Sequence, residues 1–241
     1  MFEFRFNNPK TLNAIDLDMT DIFNARLKSW RKNPHAPRVV MLSPGVGHRA
    51  FSAGGDVTQM FRHSDPNNPR YEMVDYSNAR EYLVHNKFAE SKAFQISIWD
   101  GIVMGSGVGV SIHGDVRIAT SKSMFAMPEA VLGFFTDVGS GYFFPRIVNN
   151  EICFGLYLAF TGNRVRGRDL VKWGLATHYV PDENITPLKQ ALSDRIEKGT
   201  KDEEIFKIVS EFADLGKTYP QVDRKAFADS IQHADFIREV F

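Results

Sequence analysis

Apolar and polar residues alternate in FEFRF (residues 2–6), the period-two pattern of a half-buried strand, and the turn-forming NNPK closes it. The period then changes. Met19, Ile22, Phe23, Leu27 and Trp30 recur at helical spacing until KNPHAP, which predicts a helix starting at Asp16 or Asp18. RVVML (38–42) predicts a short buried strand, SPGVGHRAFSAGGD (43–56) a loop, and the stretch around VTQMF (57–61) a helix. RHSDPNNPRYE (62–72), polar with two prolines, reads as a surface loop, and a helix is expected from about Val74 to Ala93. FQISIWD (94–100) predicts a strand, GIVMGSGVGVSIHGD (101–115) a glycine-rich turn and buried helix, and VRIATSKSMFAM (116–127) two short strands. Beyond Gly141 the pattern turns helical. GRDLVKWGL (167–175) and PLKQALSDRIEKG (187–199) are amphipathic, ATHYV (176–180) is a strand between them, and Ile205, Ile208, Val209 and Phe212 mark a further helix. Short strands alternating with helices give an α/β fold class.

Composition narrows the picture. The 241 residues are 43% hydrophobic and 24% charged, enough for one large domain or a domain with a small helical appendage. Lys plus Arg and Asp plus Glu both number 29, so no basic excess points to nucleic acid or an anionic membrane. The apolar run GIVMGSGVGVSI is too short and glycine-rich to span a bilayer. One cysteine, Cys153, excludes an internal disulfide and reads as a buried structural thiol in a reducing compartment; no Cys/His cluster has zinc spacing. The start MFEFRF has the features of neither a signal nor a transit peptide, so such a segment is either missing from this sequence or never existed.

Candidate chemistry concentrates in MPEAVLGFFTDVGSGYFF (127–144), which sets Glu129 and Asp137 among apolar, small and aromatic residues. A carboxylate in such surroundings is costly unless paired, hydrogen-bonded or used. The bland alternatives are a helix N-terminal acid after Pro128 for Glu129 and a helix cap for Asp137. GSGVG (105–109) fails the dinucleotide spacing because position 110 is Val, and no Walker A or G-x-S-x-G elbow occurs. AGGD (53–56) and GSG (105–107) each precede a predicted helix, where unpaired backbone N–H groups side by side would hold a developing oxyanion; close packing is the competing explanation of the glycines.

NNPKTLNAI, AFSAGGDVTQM, DGIVMGSGVGVSIHGDVRIAT, FAMPEAVLGFFTDVGSGYFFPRI and AFTGNRVRGRDLVKWGLATHYV follow one another in the order seen in the crotonase superfamily. The chain resembles its 3-hydroxyisobutyryl-CoA hydrolase branch most closely, over about residues 2–181. The resemblance implies a ββα-spiral core (1–182) followed by a C-terminal helical region (183–241) that is incomplete relative to the family, unless the chain is a short relative. It implies an acyl-CoA substrate, no metal or redox cofactor, no nucleic-acid or membrane partner, and compatibility with a homo-oligomer in the mitochondrial matrix, or otherwise the cytoplasm or peroxisome.

By position, the same resemblance makes the Gly55 and Ser106 backbone N–H groups the oxyanion hole, Glu129 the principal catalytic carboxylate, Asp137 its partner, and Glu81 a carboxylate near the substrate. Lys10 and its neighbouring backbone fall toward the CoA nucleotide. Ser106 stands where the family usually has glycine, Thr136 where it has proline, and Ser140 interrupts a glycine run. Gly109 takes the place of the second glutamate of hydratases, which argues against water addition to an enoyl-CoA. For Glu81 the alternative is a solvated helix-surface acid, and Asp56 reads as an N-cap; His85, His113 and His178 read as packing or surface residues. The implied activity is hydrolysis of a small β-hydroxyacyl-CoA, most specifically the 3-hydroxyisobutyryl thioester of valine breakdown. The alternatives are another crotonase-fold enzyme, such as a hydratase or isomerase, or a structural subunit of a mitochondrial ribosome.

Overall fold

The computed structural model describes residues 1–63, 65, 67, 73–147 and 152–216. Most of the expected surface loop at 62–72 and the last residues of the C-terminal region lie outside them. Two sheets organise the chain. The larger has six strands in the order β1 (Phe2–Phe6), β2 (Val39–Pro44), β4 (Phe94–Trp99), β6 (Val116–Ala119), β9 (His178–Tyr179) and β10 (Leu215–Gly216). The smaller runs β3 (Ala50–Ser52), β5 (Ile102–Met104), β7 (Met124–Ala126) and β8 (Val165–Arg166). In three passes, β2–β3, β4–β5 and β6–β7, the chain lays one strand in the large sheet and the next in the small one before turning into helix. After β3 come α2 (Val57–His63) and α3 (Met73–Glu90); after β5 comes α4 (Ser106–Gly109). After β7 come a 3₁₀ turn at Glu129–Leu132, α5 (Ser140–Ile147) and α6 (Ile152–Thr161). This α/β arrangement is a ββα spiral.

The large sheet is covered on both faces, so β2, β4 and β6 are buried at every position rather than alternating. Val40 and Leu42 of β2 enter one core and Val39 and Met41 the other. On the first face lies α1 (Leu17–Trp30), started by Asp16, whose side chain accepts from Met19 N at 2.8 Å. Phe23 and Leu27 of α1 are buried there, and the Phe23 ring meets those of Phe4 and Phe88 edge-on at 4.9 and 5.4 Å. Ile22 keeps the helical spacing but is 57% exposed. The second face is closed by α8 (Ile185–Arg195) and α9 (Asp202–Ser210), whose Leu188, Leu192, Ile205, Ile208 and Val209 pack on Val39, Met41, Phe94, Ile96, Val116 and Ile118.

Four sequence expectations are corrected. The loop expected at 43–56 contains β3, and the glycine-rich turn at 101–115 opens with β5; both are three-residue strands, too short to leave a periodic signal. GRDLVKWGL forms only the single turn α7 (Asp169–Lys172), with Leu170 and Val171 buried. Cys153 is exposed rather than buried: it sits on α6, a helix so apolar (ICFGLYLAFT) that hydropathy does not distinguish its outward face.

Candidate active site

β3, β5 and β7 pair in parallel, so their C-terminal ends lie side by side, and each end feeds a turn. Those three turns carry Gly55, Ser106 and Glu129. The first is clamped from outside by residues 12–15: Ala53 N donates to Leu12 O (3.0 Å), Ile15 N to Gly54 O (2.8 Å) and Asp56 N to Ile15 O (3.0 Å). Asn13, wholly buried, holds that clamp to β3 through a 2.7 Å bond to Ala50 O. The clamp bonds the residues on either side of Gly55 and leaves the Gly55 N–H without an acceptor among the described residues. Asp56 then caps α2, accepting from Gln59 N at 3.0 Å.

The second turn needs glycine. Gly105 has φ +46°, and a Cβ on it would stand 3.0 Å from Glu129 Oε1 and 3.5 Å from Gly54 Cα. The two glycine turns therefore touch, with the Glu129 carboxylate against them. Ser106 opens α4 outside the positive-φ region, so its side chain is compatible with the backbone, and its N–H, in the first turn of a helix, has no acceptor among the described residues either. A buried arginine braces the segment after α4: Arg117 donates through Nη1 to Ile112 O (3.1 Å) and Gly114 O (2.8 Å) and through Nε to Leu175 O (2.7 Å).

The carboxylates converge on this place. Glu129 is buried at the start of its 3₁₀ turn, and its Oε2 has no hydrogen-bond partner. Glu81 is buried on α3, with Oε2 3.4 Å from where a Gly55 Cβ would be; it is not a surface acid. Half-buried Asp137 accepts from the Tyr82 hydroxyl at 2.7 Å. It does not start the next helix as a side-chain cap: α5 begins at Ser140, whose N–H bonds the Asp137 main-chain oxygen at 2.8 Å. Val138, just after Asp137, holds φ +44°, an unusual conformation for a β-branched residue.

Burial raises both Glu81 and Glu129 to about 7, and the other carboxylates add to it: Asp137 acts on both, and Glu129 on Glu81. Asp137 is raised too, by burial, against the stabilising Tyr82 bond. Three acids forced toward neutrality near one another, next to backbone donors with no acceptor among the described residues, is an arrangement suited to general-base or nucleophilic chemistry. Among the described residues no group of three or more His, Cys, Asp or Glu side chains is placed to hold a metal ion, and no helix is long and apolar enough to cross a membrane.

Two features were not legible as site features from sequence. His85, read as a packing residue, is buried with Nε2 3.2 Å from Ser106 Oγ and 3.9 Å from Glu81 Oε1. The signal was its spacing: it lies one helical turn after Glu81. An apolar cavity of about 470 Å³, lined by Ala130, Phe134, Phe135, Phe144, Leu156 and Phe160 among others, adjoins the Glu129–Asp137 segment without containing either acid. His113 packs beside the Tyr142 and Phe143 rings, and His178 lies 2.9 Å from Thr177 Oγ1 on β9. Lys10 is exposed in a 3₁₀ turn.

Comparison with known proteins agrees with this architecture. The sequence profile described as enoyl-CoA hydratase/isomerase matches residues 2–241. The mitochondrial 3-hydroxyisobutyryl-CoA hydrolase of Xenopus laevis is 40% identical over 186 residues, 77% of this chain and 46% of that protein. The human protein of the same name is 34% identical over 235 residues, 98% of this chain and 57% of the relative. This chain thus spans about half the length of the curated relatives it matches. Among solved structures, a carnitinyl-CoA dehydratase from Mycobacterium thermoresistibile superposes with a TM-score of 0.74 at 29% identity, covering 95% of this chain and 62% of that one.

Proposed function

Because this chain belongs to the enoyl-CoA hydratase/isomerase family, we propose that it hydrolyses the thioester of a small β-hydroxyacyl-CoA, with 3-hydroxyisobutyryl-CoA the foremost substrate. The observation that carries the reading is the placement of the Glu129 carboxylate against two glycine turns whose Gly55 and Ser106 amides have no acceptor. In this reading the two amides polarise the thioester carbonyl and hold the oxyanion that forms as it is attacked. Glu129 either attacks the carbonyl, giving an anhydride that water opens, or takes a proton from a water that attacks directly. In both routes the C–S bond breaks, CoA leaves as a thiolate that takes up a proton, and the hydroxy acid is released. Asp137, oriented by Tyr82, holds the water or the substrate hydroxyl. Glu81 lines the same pocket beside Gly55. CoA enters as part of the substrate, and no separate cofactor takes part. A mitochondrial location is proposed with the substrate, from the names of the relatives.

Gly109 favours hydrolysis over hydration. A Cβ there would stand 2.7 Å from His85 Cε1 and 2.8 Å from Val138 Cβ, so the pocket has no room for a second acid at that position. The test is release of free CoA thiol from a panel of short acyl-CoA thioesters. The expected result is fastest release from β-hydroxyacyl members, with Glu129→Gln slower by at least about a hundredfold. A protein that releases no thiol, or a Glu129→Gln variant with near-normal turnover, would overturn the reading.

A further inference from the structure

Glu81 is buried, and two groups beside it are both unusual. Ser106 occupies the family's glycine position, and His85 is a buried histidine with one ring nitrogen, Nδ1, lacking any partner. Its other nitrogen lies 3.2 Å from Ser106 Oγ. These facts fix the direction of the bonds. A proton on Nδ1 would leave a buried donor with nothing to receive it, whereas a bare Nδ1 leaves only an unmet acceptor, the cheaper defect. The proton therefore sits on Nε2, which donates to Ser106 Oγ. A hydroxyl that accepts from His85 has its own proton free to pass on, and the Glu81 carboxylate, whose Oε1 lies 3.9 Å from the same Nε2, is the acceptor beside it, its charged form favoured by the Ser106 hydroxyl.

We propose that His85 and Ser106 are positioning residues, forming a relay in which His85 Nε2–H donates to Ser106 Oγ and the Ser106 hydroxyl donates to the Glu81 carboxylate, fixing its orientation in the pocket. The inference rests on the reading that this pocket performs acyl-CoA chemistry. Gly109 completes the set: the His85 ring occupies the space a Cβ on Gly109 would need, at 2.7 Å from Cε1 and 2.8 Å from Nε2. Glycine at 109 admits the ring, and serine at 106 gives the ring its partner. Burial holds His85 far below the usual histidine range, at about 3, so the ring acts as a neutral donor and sets direction rather than charge.

Two measurements test the relay. In the ¹⁵N-histidine spectrum of the whole chain, with the His85 signal assigned by its loss in His85→Phe, the ring should be the neutral Nε2–H tautomer, and Ser106→Ala should shift its Nε2 resonance. An Nδ1–H tautomer, or a His85 signal unmoved by Ser106→Ala, overturns the proposal. In kinetics with 3-hydroxyisobutyryl-CoA, Ser106→Ala, which keeps the backbone donor, should lower kcat about tenfold. Adding His85→Phe to Ser106→Ala should cost nothing more, and neither change should matter in a Glu81→Gln background. Losses that simply multiply, or that persist without the Glu81 carboxylate, overturn it. A wild-type protein that leaves the thioester intact removes the hydrolase reading alone, and the tautomer measurement then decides the relay by itself.

Discussion

Glu129→Gln exchanges a titratable carboxyl for a neutral amide of nearly the same shape, which isolates the electrostatic cost of keeping an acid in this pocket. Burial, with help from Asp137, raises Glu129 from 4.5 to about 7. The ionised form is thereby disfavoured by about 3 kcal/mol at most, and with solvent still reaching part of the group about 1–2 kcal/mol is the expected share. The sign follows from linkage. A folded-state value above the unfolded one gives a stabilisation that is complete below pH 4.5 and lost as pH rises through about 7. The amide has no such loss. Glu129→Gln should therefore match the wild type in melting temperature near pH 4.5 and exceed it by about 2–8 °C at pH 8, at roughly 2–4 °C per kcal/mol for a chain of this size. Scanning calorimetry of both proteins across that range is the assay. A difference that does not change with pH, or a variant less stable at pH 8, would show that the carboxylate is not held at a cost and would remove the electrostatic argument for the site.

Gly109→Ala puts a methyl 2.7–2.8 Å from the His85 ring and Val138 Cβ, so overpacking should cost about 1–3 kcal/mol; a melting temperature within 1 °C of wild type would refute the packing described here. Tyr82→Phe removes the 2.7 Å bond that stabilises ionised Asp137, so Asp137 should titrate higher, which carboxyl-labelled NMR would read directly; an unchanged titration would mean that the bond is not formed in solution. Asp137→Gly removes the carboxylate held by Tyr82, yet crotonyl-CoA hydration should stay undetectable because position 109 still has no carboxylate; measurable hydration would overturn the assignment of roles.

How far the sequence alone reaches depends on how each residue acts. Strands β1, β2, β4, β6 and β9 and helices α1, α3 and α8 are legible from short apolar runs or from a periodic apolar face, as Phe23 and Leu27 of α1 show. β3 and β5 are not, since three residues cannot display a period and the glycines around them read as loop. Glu129 and Asp137 stood out because a carboxylate among phenylalanines is costly, Glu81 only through the family resemblance, and the three acids lie close enough to raise one another's pKa. His85 did not stand out. A histidine on a mixed helix has no sequence mark that separates a packing residue from a bonded one, and its meaning comes from Ser106, brought to it from another turn of the spiral. Cys153 misled for the opposite reason: a uniformly apolar helix leaves no contrast from which to tell its outer face.

The small sheet also bears on which motions the pocket can afford. β3, β5, β7 and β8 have three, three, three and two residues, lengths that do not hold a register in water by themselves. They are continuous with, or close to, the longer strands β2, β4 and β6, whose interlocked faces supply the rigidity. The pocket is thus borrowed order, a fine adjustment hung from a stiff frame. A core substitution such as Ile96→Val in β4, which touches none of the site groups, should loosen the glycine turns before it unfolds the protein. Amide exchange would record this as faster opening around Gly55 and Ser106 than in β2, and uniform opening of both sheets would show instead that the site keeps its shape without help.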